Sequence, residues 1–287
     1  MNNPVLYRGM RRSELVDQYN PRFAVPDHES WKRQYELWSE LTRSKYDGVY
    51  DIAYGDGPLQ TLDVFPAKEP GATINVFTHG GFWRFLDKSD HTMVAAPMLD
   101  AGATVVLLNY TLAPAVAVPD QVEMLRTALA WVYRNAERYN GDPDKLFISG
   151  HSAGANLTAM LAADGWQDAH GLPRDVVKGA TLASGLFDLE PMRFIPGGEE
   201  LHLTEESAAA YSPQNNLPRP SMPLVVAVGA DETPEWIRQT EDYMKALKAH
   251  GCPVTAIKEE HENHYSIVFS LANSRTTLAR ALLEQMG

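Results

Sequence analysis

Short apolar runs alternate with segments of helical periodicity from residue 73 onward. The runs at 73–78, 104–108 and 224–229 are rich in β-branched residues, which is typical of strands buried on both faces of a parallel sheet. Between 119 and 139 the apolar residues recur every three or four positions and predict an amphipathic helix. This alternation predicts βαβ units, and therefore an α/β fold with a mostly parallel central sheet and helices on both faces. Further strands are predicted at 146–149, 180–184 and 254–258, and a closing helix at the C-terminus reaching Met286.

The stretch before residue 49 has a helical pattern instead. Apolar periodicity spans 13–42 and is interrupted twice by proline. Trp31, Tyr35 and Trp38 stand four and three residues apart, so they form an aromatic stripe on one helical face. Two interpretations are open: the stripe packs on the core, or it covers an apolar substrate pocket.

The hairpin that follows completes the expected domain organisation. The β-rich segments 50–54 and 59–65 flank a Gly-Asp-Gly-Pro turn signal and predict an antiparallel hairpin. A chain of 287 residues can form one large core. We therefore expect a single domain over 1–287, with 1–48 as a helical cap segment. The polar, proline-rich excursion at 190–220 is the expected mobile or lid-like region.

Composition and charge narrow the classes of partner. Apolar residues make up 44% of the chain and charged residues 22%, as in an ordinary globular protein. The net charge of −12 and the lack of a basic run argue against nucleic acid or an anionic membrane as a partner. No apolar run approaches the ~18 residues of a membrane span, and residues 1–20 do not read as a secretory signal, so a cytoplasmic location is expected. The lone Cys252 excludes an intrachain disulfide and is expected to be a small, semi-buried thiol.

A glycine-flanked serine follows the predicted strand at 146–149. Residues 150–154 read Gly-His-Ser-Ala-Gly, the G-x-S-x-G spacing, and 155–163 reads as a small-residue helix. In that context the serine occupies a strained strand-to-helix turn. The helix then directs its positive dipole end and free amides at the hydroxyl, where an oxyanion would form. Ser152 is therefore the predicted nucleophile of an acyl-transfer site.

The predicted base is one of the histidines that follow Ser152, because folds with a G-x-S-x-G serine carry the triad in the chain order Ser, Asp or Glu, His. His261 and His264 both lie in the loop after the last predicted strand. His264 is the predicted base because Tyr265 and an apolar helix follow it. Three neighbouring glutamates would favour the charged form of His261 and make it a poorer base.

The acid that orients the base is expected at the exit of an earlier strand. Asp231 follows the strand at 224–229, which lies between the nucleophile and histidine strands, and is the predicted acid. Asp188, after the preceding strand, is a rival. Glu232 is the adjacent alternative.

The oxyanion donors are predicted to be main-chain amides. The strand at 73–78 ends in His79-Gly80-Gly81-Phe82-Trp83, in the position from which this fold draws its second donor. Gly81, Phe82 and Ala153 are the predicted donors. Neither His79 nor His151 has a partner at metal-ligand spacing, so no metal site is expected, and no cofactor either. His151 is expected to pack beside the nucleophile.

With these residues in view, the chain resembles the kynurenine formamidase, or arylformamidase, branch of the α/β-hydrolase superfamily over nearly all of its length. The motif at 79–83 is similar to the H-G-G-x-W motif of that branch, in which the second glycine and the next residue supply oxyanion amides. Other similar segments are Asp17–Arg22, Tyr54-Gly55, Leu62–Val64, Asn109–Pro114, Ala155–Leu157 and Ser184–Leu189.

The resemblance implies a serine hydrolase of tryptophan breakdown that cleaves an N-formyl aryl amine, such as N-formylkynurenine, to formate and the free amine. Phe82 and Trp83, with Trp31 or Trp38, would then line the pocket for the aromatic group. Arg84 or Arg193 would face the amino-acid end of the substrate.

Two other functions stay open. One is a carboxylesterase acting on short acyl esters with the same triad, and the other is a non-catalytic small-molecule receptor on the same fold. In each case a small molecule is the expected partner, and a homodimer is an open alternative to a monomer.

Overall fold

The computed structural model describes residues 4–287, so the first three residues of the predicted cap segment lie outside the described part of the chain. Ten strands form one large and one small sheet. They are β1 Val5–Tyr7, β2 Met10–Arg11, β3 Val49–Ala53, β4 Thr61–Phe65, β5 Ala72–Thr78, β6 Thr104–Leu108, β7 Gly141–His151, β8 Val177–Ala183, β9 Leu224–Gly229 and β10 Val254–Glu259.

Ten α-helices surround or precede the large sheet. They are α1 Arg12–Tyr19, α2 Pro21–Ala24, α3 His28–Lys45, α4 Ala95–Asp100, α5 Val118–Asn135, α6 Ala153–Ala162, α7 Glu205–Ala210, α8 Pro234–Ala249, α9 Ile267–Ala272 and α10 Thr277–Met286. Within residues 4–287 none of the helices combines the length and the apolar character needed to cross a bilayer.

The large sheet has eight strands in the order β10-β9-β8-β7-β5-β6-β4-β3. The pairs from β10 to β6 are parallel, whereas β4 pairs antiparallel with both β6 and β3. This is the α/β-hydrolase fold predicted from the sequence, including the antiparallel hairpin that precedes the parallel strands. The carboxyl ends of five neighbouring strands, β10 to β5, therefore meet at one edge of the sheet.

The core has a layer on each face of this sheet, as continuous apolar strands require. On one face the buried stripe of α5, with Val122, Leu125 and Leu129, packs with α6 and α8. On the other face α9 and α10 pack with the 3₁₀ turn that precedes α4. Each strand from β5 to β9 is thus covered on both faces, which fixes the position of its C-terminal residue at the edge of the sheet.

Several predicted elements are subdivided. The closing helix is two helices, α9 and α10, separated by residues 273–276. Before α4, a 3₁₀ turn covers Lys88–Val94. The N-terminal periodicity forms three helices, because Pro21 occupies the first position of α2 and a second break precedes α3.

The aromatic stripe of α3 serves both of the purposes considered for it. Trp31 and Trp38 contact the ring of Phe269 in α9, with ring centres 5.9 and 5.4 Å apart. Tyr35 is buried between Phe269 and His91 and also lines the cavity described below. The excursion at 190–220 is folded into short helical turns, and its Ile195 and Pro196 line the same cavity.

Candidate active site

The turn between β7 and α6 carries the predicted nucleophile. Ser152 has φ 57° and ψ −125°, a conformation that costs roughly 1–3 kcal/mol outside glycine. A side chain at Gly154 would stand 2.2 Å from the carbonyl oxygen of Thr78, so only glycine lets α6 approach β5 this closely. The Ser152 amide donates to the carbonyl of Ala183 at the end of β8 (2.9 Å), which fixes the turn to the sheet.

The predicted base lies within hydrogen-bond distance of that serine. His264, in the loop after β10, places Nε2 2.9 Å from Ser152 Oγ. Both side chains are buried, with 5% of His264 and 7% of Ser152 exposed. Trp236 of α8 packs against the imidazole with ring centres 4.3 Å apart, and its Nε1 donates to the Ser184 carbonyl. The ring of His264 is therefore held in place by packing as well as by hydrogen bonds.

The carboxylate at the other ring nitrogen belongs to Glu232, which corrects the prediction of Asp231. Glu232 Oε2 accepts from His264 Nδ1 at 2.7 Å. Asp231 is exposed and reaches the site only through its amide, which donates to the Glu262 carbonyl. The rival Asp188 accepts a hydrogen bond from the Tyr7 hydroxyl instead.

The turn after β9 explains why the second carboxylate points inward. The Glu232 side chain folds back toward its own strand, and its Oε1 accepts from the Gly229 amide at 2.8 Å. The same oxygen accepts from the Ser184 hydroxyl at the end of β8. A carboxylate with two donors on one oxygen keeps the other oxygen directed at His264, with its negative charge stabilised. Ser184 was not singled out for this role in the sequence, although it ends a predicted strand.

His151, in the turn between β7 and α6, contacts His264. His151 Nε2 donates to the main-chain carbonyl of His264 at 2.9 Å, and the two rings lie 4.9 Å apart. Burial, and next the proximity of His264, hold the pKa of His151 well below its usual value. His151 is thus a neutral packing residue beside the nucleophile, as the sequence predicted.

The predicted oxyanion loop, which follows β5, lies against the turn that carries Ser152. A side chain at Gly80 would stand 3.1 Å from Ser152 Cβ. Gly81 has φ +112°, and a side chain there would stand 2.0 Å from the Phe85 carbonyl oxygen, so this loop requires glycine. In the described part of the chain, the amides of Gly81, Phe82 and Ala153 donate to no protein acceptor, which leaves them available to a ligand.

The side chains of the oxyanion loop point in different directions, and Trp83 does not line the pocket as predicted. Phe82 and Arg84 line the cavity, but Trp83 is 0% exposed and belongs to the core. Phe82 and Trp83 both have positive φ, 56° and 57°, and this tight turn directs the Trp83 ring inward. Trp31 and Trp38 also lie outside the cavity lining and pack against Phe269 of α9 instead.

A cavity of about 410 Å³ opens over Ser152 and His264. Its walls come from six separate parts of the chain: 19–36, 81–91, 151–152, 195–196, Trp236 and 264–265. Aromatic rings of Tyr35, Phe82 and Trp236 supply much of the apolar wall. Within residues 4–287 no group of three or more metal-binding side chains is arranged to hold an ion.

Comparison with known proteins identifies relatives along the full chain. The sequence is 31% identical over 297 aligned positions to kynurenine formamidase of Danio rerio, covering 98% of both chains. It is 30% identical to kynurenine formamidase of Salmo salar at the same coverage. The family model BD-FAE matches residues 62–181. A carboxylesterase of Mycobacterium tuberculosis, NlhH, is 35% identical over 128 residues, 44% of this chain and 38% of that one.

Solved structures share the fold at low identity. A protein from Silicibacter sp. tm1040 superposes with a TM-score of 0.82 at 23% identity, covering 95% of this chain and 98% of that one. A hyperthermophilic esterase from the archaeon Pyrobaculum calidifontis has a TM-score of 0.70 at 20% identity, covering 96% and 94%.

Proposed function

Because this chain belongs to the kynurenine formamidase family of α/β-hydrolases, we propose that it hydrolyses N-formyl aryl amines such as N-formylkynurenine to formate and the free amine. Full-length relatedness to two kynurenine formamidases carries the proposal of the substrate. The contact of His264 with both Ser152 and Glu232 supports the mechanism.

The proposed reaction is a two-step acyl transfer. His264 Nδ1–H donates to Glu232, which leaves Nε2 as the proton acceptor facing the Ser152 hydroxyl. The Ser152 oxygen attacks the formyl carbon while its proton passes to Nε2. The imidazolium then protonates the aryl nitrogen, the C–N bond breaks, and the amine leaves. Water enters, loses a proton to Nε2 and attacks the formyl ester. The imidazolium returns this proton to the Ser152 oxygen as the ester bond breaks, which releases formate and regenerates the serine.

The oxyanion of each tetrahedral intermediate is assigned to the amides of Gly81, Phe82 and Ala153. Their free N–H groups beside Ser152, at the loop after β5 and at the N-terminus of α6, support this role. Each such donor is typically worth roughly 2.7–4 kcal/mol in the transition state.

The aromatic leaving group is assigned to the apolar part of the cavity. Phe82 and Tyr35 lie on its walls, and about 410 Å³ accommodates an aryl amine with a side chain. A formyl group is the smallest acyl group, so the main contacts of such a substrate fall on its amine side. This fits a cavity to which Tyr35 of the cap segment and Phe82 of the oxyanion loop both contribute aromatic rings.

The test is a substrate panel of formanilides, N-formylkynurenine and p-nitrophenyl acetate, run on the wild type and Ser152→Ala. We expect kcat/KM for N-formylkynurenine to exceed that for the ester, and Ser152→Ala to abolish both activities. A preference for the ester by one order of magnitude or more would favour a carboxylesterase, the alternative supported by the relationship to NlhH over 128 residues.

A non-catalytic receptor is the remote alternative, and labelling tests it. We expect a fluorophosphonate to modify Ser152 and the wild type to turn over activated esters many times per site. Absence of both labelling and turnover in folded protein would favour the receptor.

The remaining expectations concern organisation. We propose a single domain over 1–287, with 1–48 acting as a cap and 190–220 as a lid; the contribution of both segments to the cavity supports this. A cytoplasmic location stays a prediction. A homodimer also stays one, and the exposed Leu37, Trp38 and Leu41 on α3 support it, to be checked by sedimentation velocity.

A further inference from the structure

Three cationic side chains line the cavity, and two of them already have anionic partners. Arg84 pairs with Glu200 at 2.5 Å, and Lys32 pairs with Glu29 at 3.4 Å. Arg22 lines the same cavity and forms no ion pair with a carboxylate anywhere in residues 4–287. Arg193, considered from the sequence, pairs with Glu190 and lies outside the cavity lining.

The backbone that carries Arg22 is fixed by local capping. Arg22 is the second residue of α2, a short helix that begins with Pro21. The side chain of Asn20 caps this helix by accepting from the Arg22 amide at 3.1 Å. The Asn-Pro-Arg sequence therefore fixes the main chain from which the Arg22 side chain extends.

The guanidinium of Arg22 lies over the Phe85 ring and near the Tyr265 hydroxyl at the cavity. Its central carbon lies 5.1 Å from the centre of the Phe85 ring, which is 40% exposed. Arg22 also lies close to the hydroxyl of Tyr265, the residue that follows His264. Burial raises the pKa of the Tyr265 hydroxyl to about 12, and the positive charge of Arg22 opposes that rise. Stacking uses the flat face of a guanidinium and leaves N–H donors on its edge for a planar anion.

We propose that Arg22 binds a carboxylate at the distal end of the substrate, so that the site selects N-formyl aryl amines carrying an acidic side chain over neutral formanilides. This inference rests on the proposed formamidase function. Arg84 and Arg193, which the resemblance suggested for the amino-acid end of the substrate, are each paired with a glutamate of the protein. Arg22 takes their place in this proposal. A bidentate guanidinium–carboxylate contact in a partly enclosed site gives both affinity and orientation.

The experiment compares Arg22→Gln and Arg22→Lys with a matched control, Arg33→Gln. Arg33 is exposed on α3 in the same cap segment and is not part of the cavity wall, so its replacement changes the net charge equally. Each variant is assayed with N-formylkynurenine and with formanilide, which has no carboxylate. We expect Arg22→Gln to lower kcat/KM for N-formylkynurenine roughly 10- to 100-fold, mainly through KM, and to change formanilide hydrolysis less than about twofold. Arg22→Lys should recover part of the loss, and Arg33→Gln should match the wild type.

Equal losses on both substrates would assign Arg22 a structural role and overturn the proposal, as would an unchanged kcat/KM for N-formylkynurenine. A second readout does not depend on formamidase activity. L-Kynurenine and aniline are tested as inhibitors of p-nitrophenyl acetate hydrolysis, and Arg22→Gln should weaken inhibition by kynurenine about tenfold but not by aniline. If the wild type hydrolyses no formamide, the proposed function fails. The inhibition data then decide separately whether Arg22 binds the carboxylate, and equal inhibition of the wild type and Arg22→Gln by kynurenine would refute it.

Discussion

At the scale of single residues, the site depends on which of two adjacent carboxylates turns toward the imidazole. Glu232 contacts His264 at 2.7 Å, whereas Asp231 faces solvent. The difference arises in the turn after β9, where Glu232 folds back to accept from the Gly229 amide. Both carboxylates at this strand exit were candidates from the sequence, with Asp231 as the predicted acid and Glu232 as the alternative. Which of the two turns inward depends on hydrogen bonds with Gly229 and Ser184 that no local pattern encodes.

Exchanging each carboxylate for its amide separates the two residues. We expect Glu232→Gln to lower kcat by roughly 10³–10⁴-fold, because the amide no longer stabilises the imidazolium and favours the wrong tautomer. Asp231→Asn should remain within about twofold of the wild type, since its side chain makes no contact with His264. Steady-state kinetics with any turned-over substrate gives the answer, with circular dichroism to establish that both variants are folded. Similar losses in the two variants would contradict the assignment.

The Ser184 hydroxyl donates to Glu232, and we expect Ser184 to position that carboxylate against His264. We expect Ser184→Ala to lower kcat modestly, about 3- to 20-fold, because Glu232 Oε1 keeps the Gly229 donor but loses the hydroxyl. Ser184→Thr, which keeps the hydroxyl, should restore part of the rate. Equal losses in Ser184→Ala and Ser184→Thr would indicate a packing defect instead.

At the scale of secondary-structure elements, five strand ends meet in one row. β5, β7, β8, β9 and β10 are neighbours in that order, and their exits carry the oxyanion loop, Ser152, Ser184, Glu232 and His264 respectively. β5, β7, β8 and β9 are covered on both faces, so their ends cannot shift without disturbing the core. Strand periodicity predicted these exits well. It did not predict the direction of side chains within a loop, which is why Trp83 was expected in the pocket but lies in the core.

The loop after β5 gives the element-level prediction. Gly81→Ala should reduce kcat at least about 10²-fold, because the added carbon would stand 2.0 Å from the Phe85 carbonyl and force the oxyanion loop to move. Gly102→Ala is the matched control: its φ is also positive, +84°, but no atom lies within 4 Å of the new carbon. That control should lose roughly 1–2 kcal/mol of stability and keep its activity. Chemical denaturation and initial rates are measured for both, and equal kcat in the two variants would disprove the role of the loop.

At the scale of the whole molecule, buried neutral histidines couple stability to pH. His79 and His91 are fully buried, with ring centres 6.0 Å apart, and desolvation lowers the pKa of each to about 4. The unfolded chain binds protons on these residues near pH 6.5, whereas the folded chain does not until about pH 4. Below about pH 6.5 the unfolded state therefore holds more protons, and the free energy of unfolding must decrease as the pH falls.

We expect the urea midpoint to fall steadily between pH 6.5 and pH 4.5. His91→Phe should flatten this dependence, because the ring packs among the aromatic rings of Tyr35 and Phe77 and a phenyl group does not titrate. His250→Gln, at an exposed position, should leave the slope unchanged. Equilibrium urea unfolding at four pH values provides the comparison, and identical slopes in wild type and His91→Phe would show that His91 is not responsible.

The cap segment has a consequence for how such a protein can change. The residues proposed to carry out the reaction lie on loops at the carboxyl ends of the sheet strands. Part of the cavity wall is instead contributed by α2 and α3, which precede the first strand of the large sheet in the sequence. Mutations at 20–36 can thus alter which amine is accepted without touching the bond-breaking apparatus. A lineage could acquire new substrates through drift in these few N-terminal turns while its hydrolytic machinery stays the same.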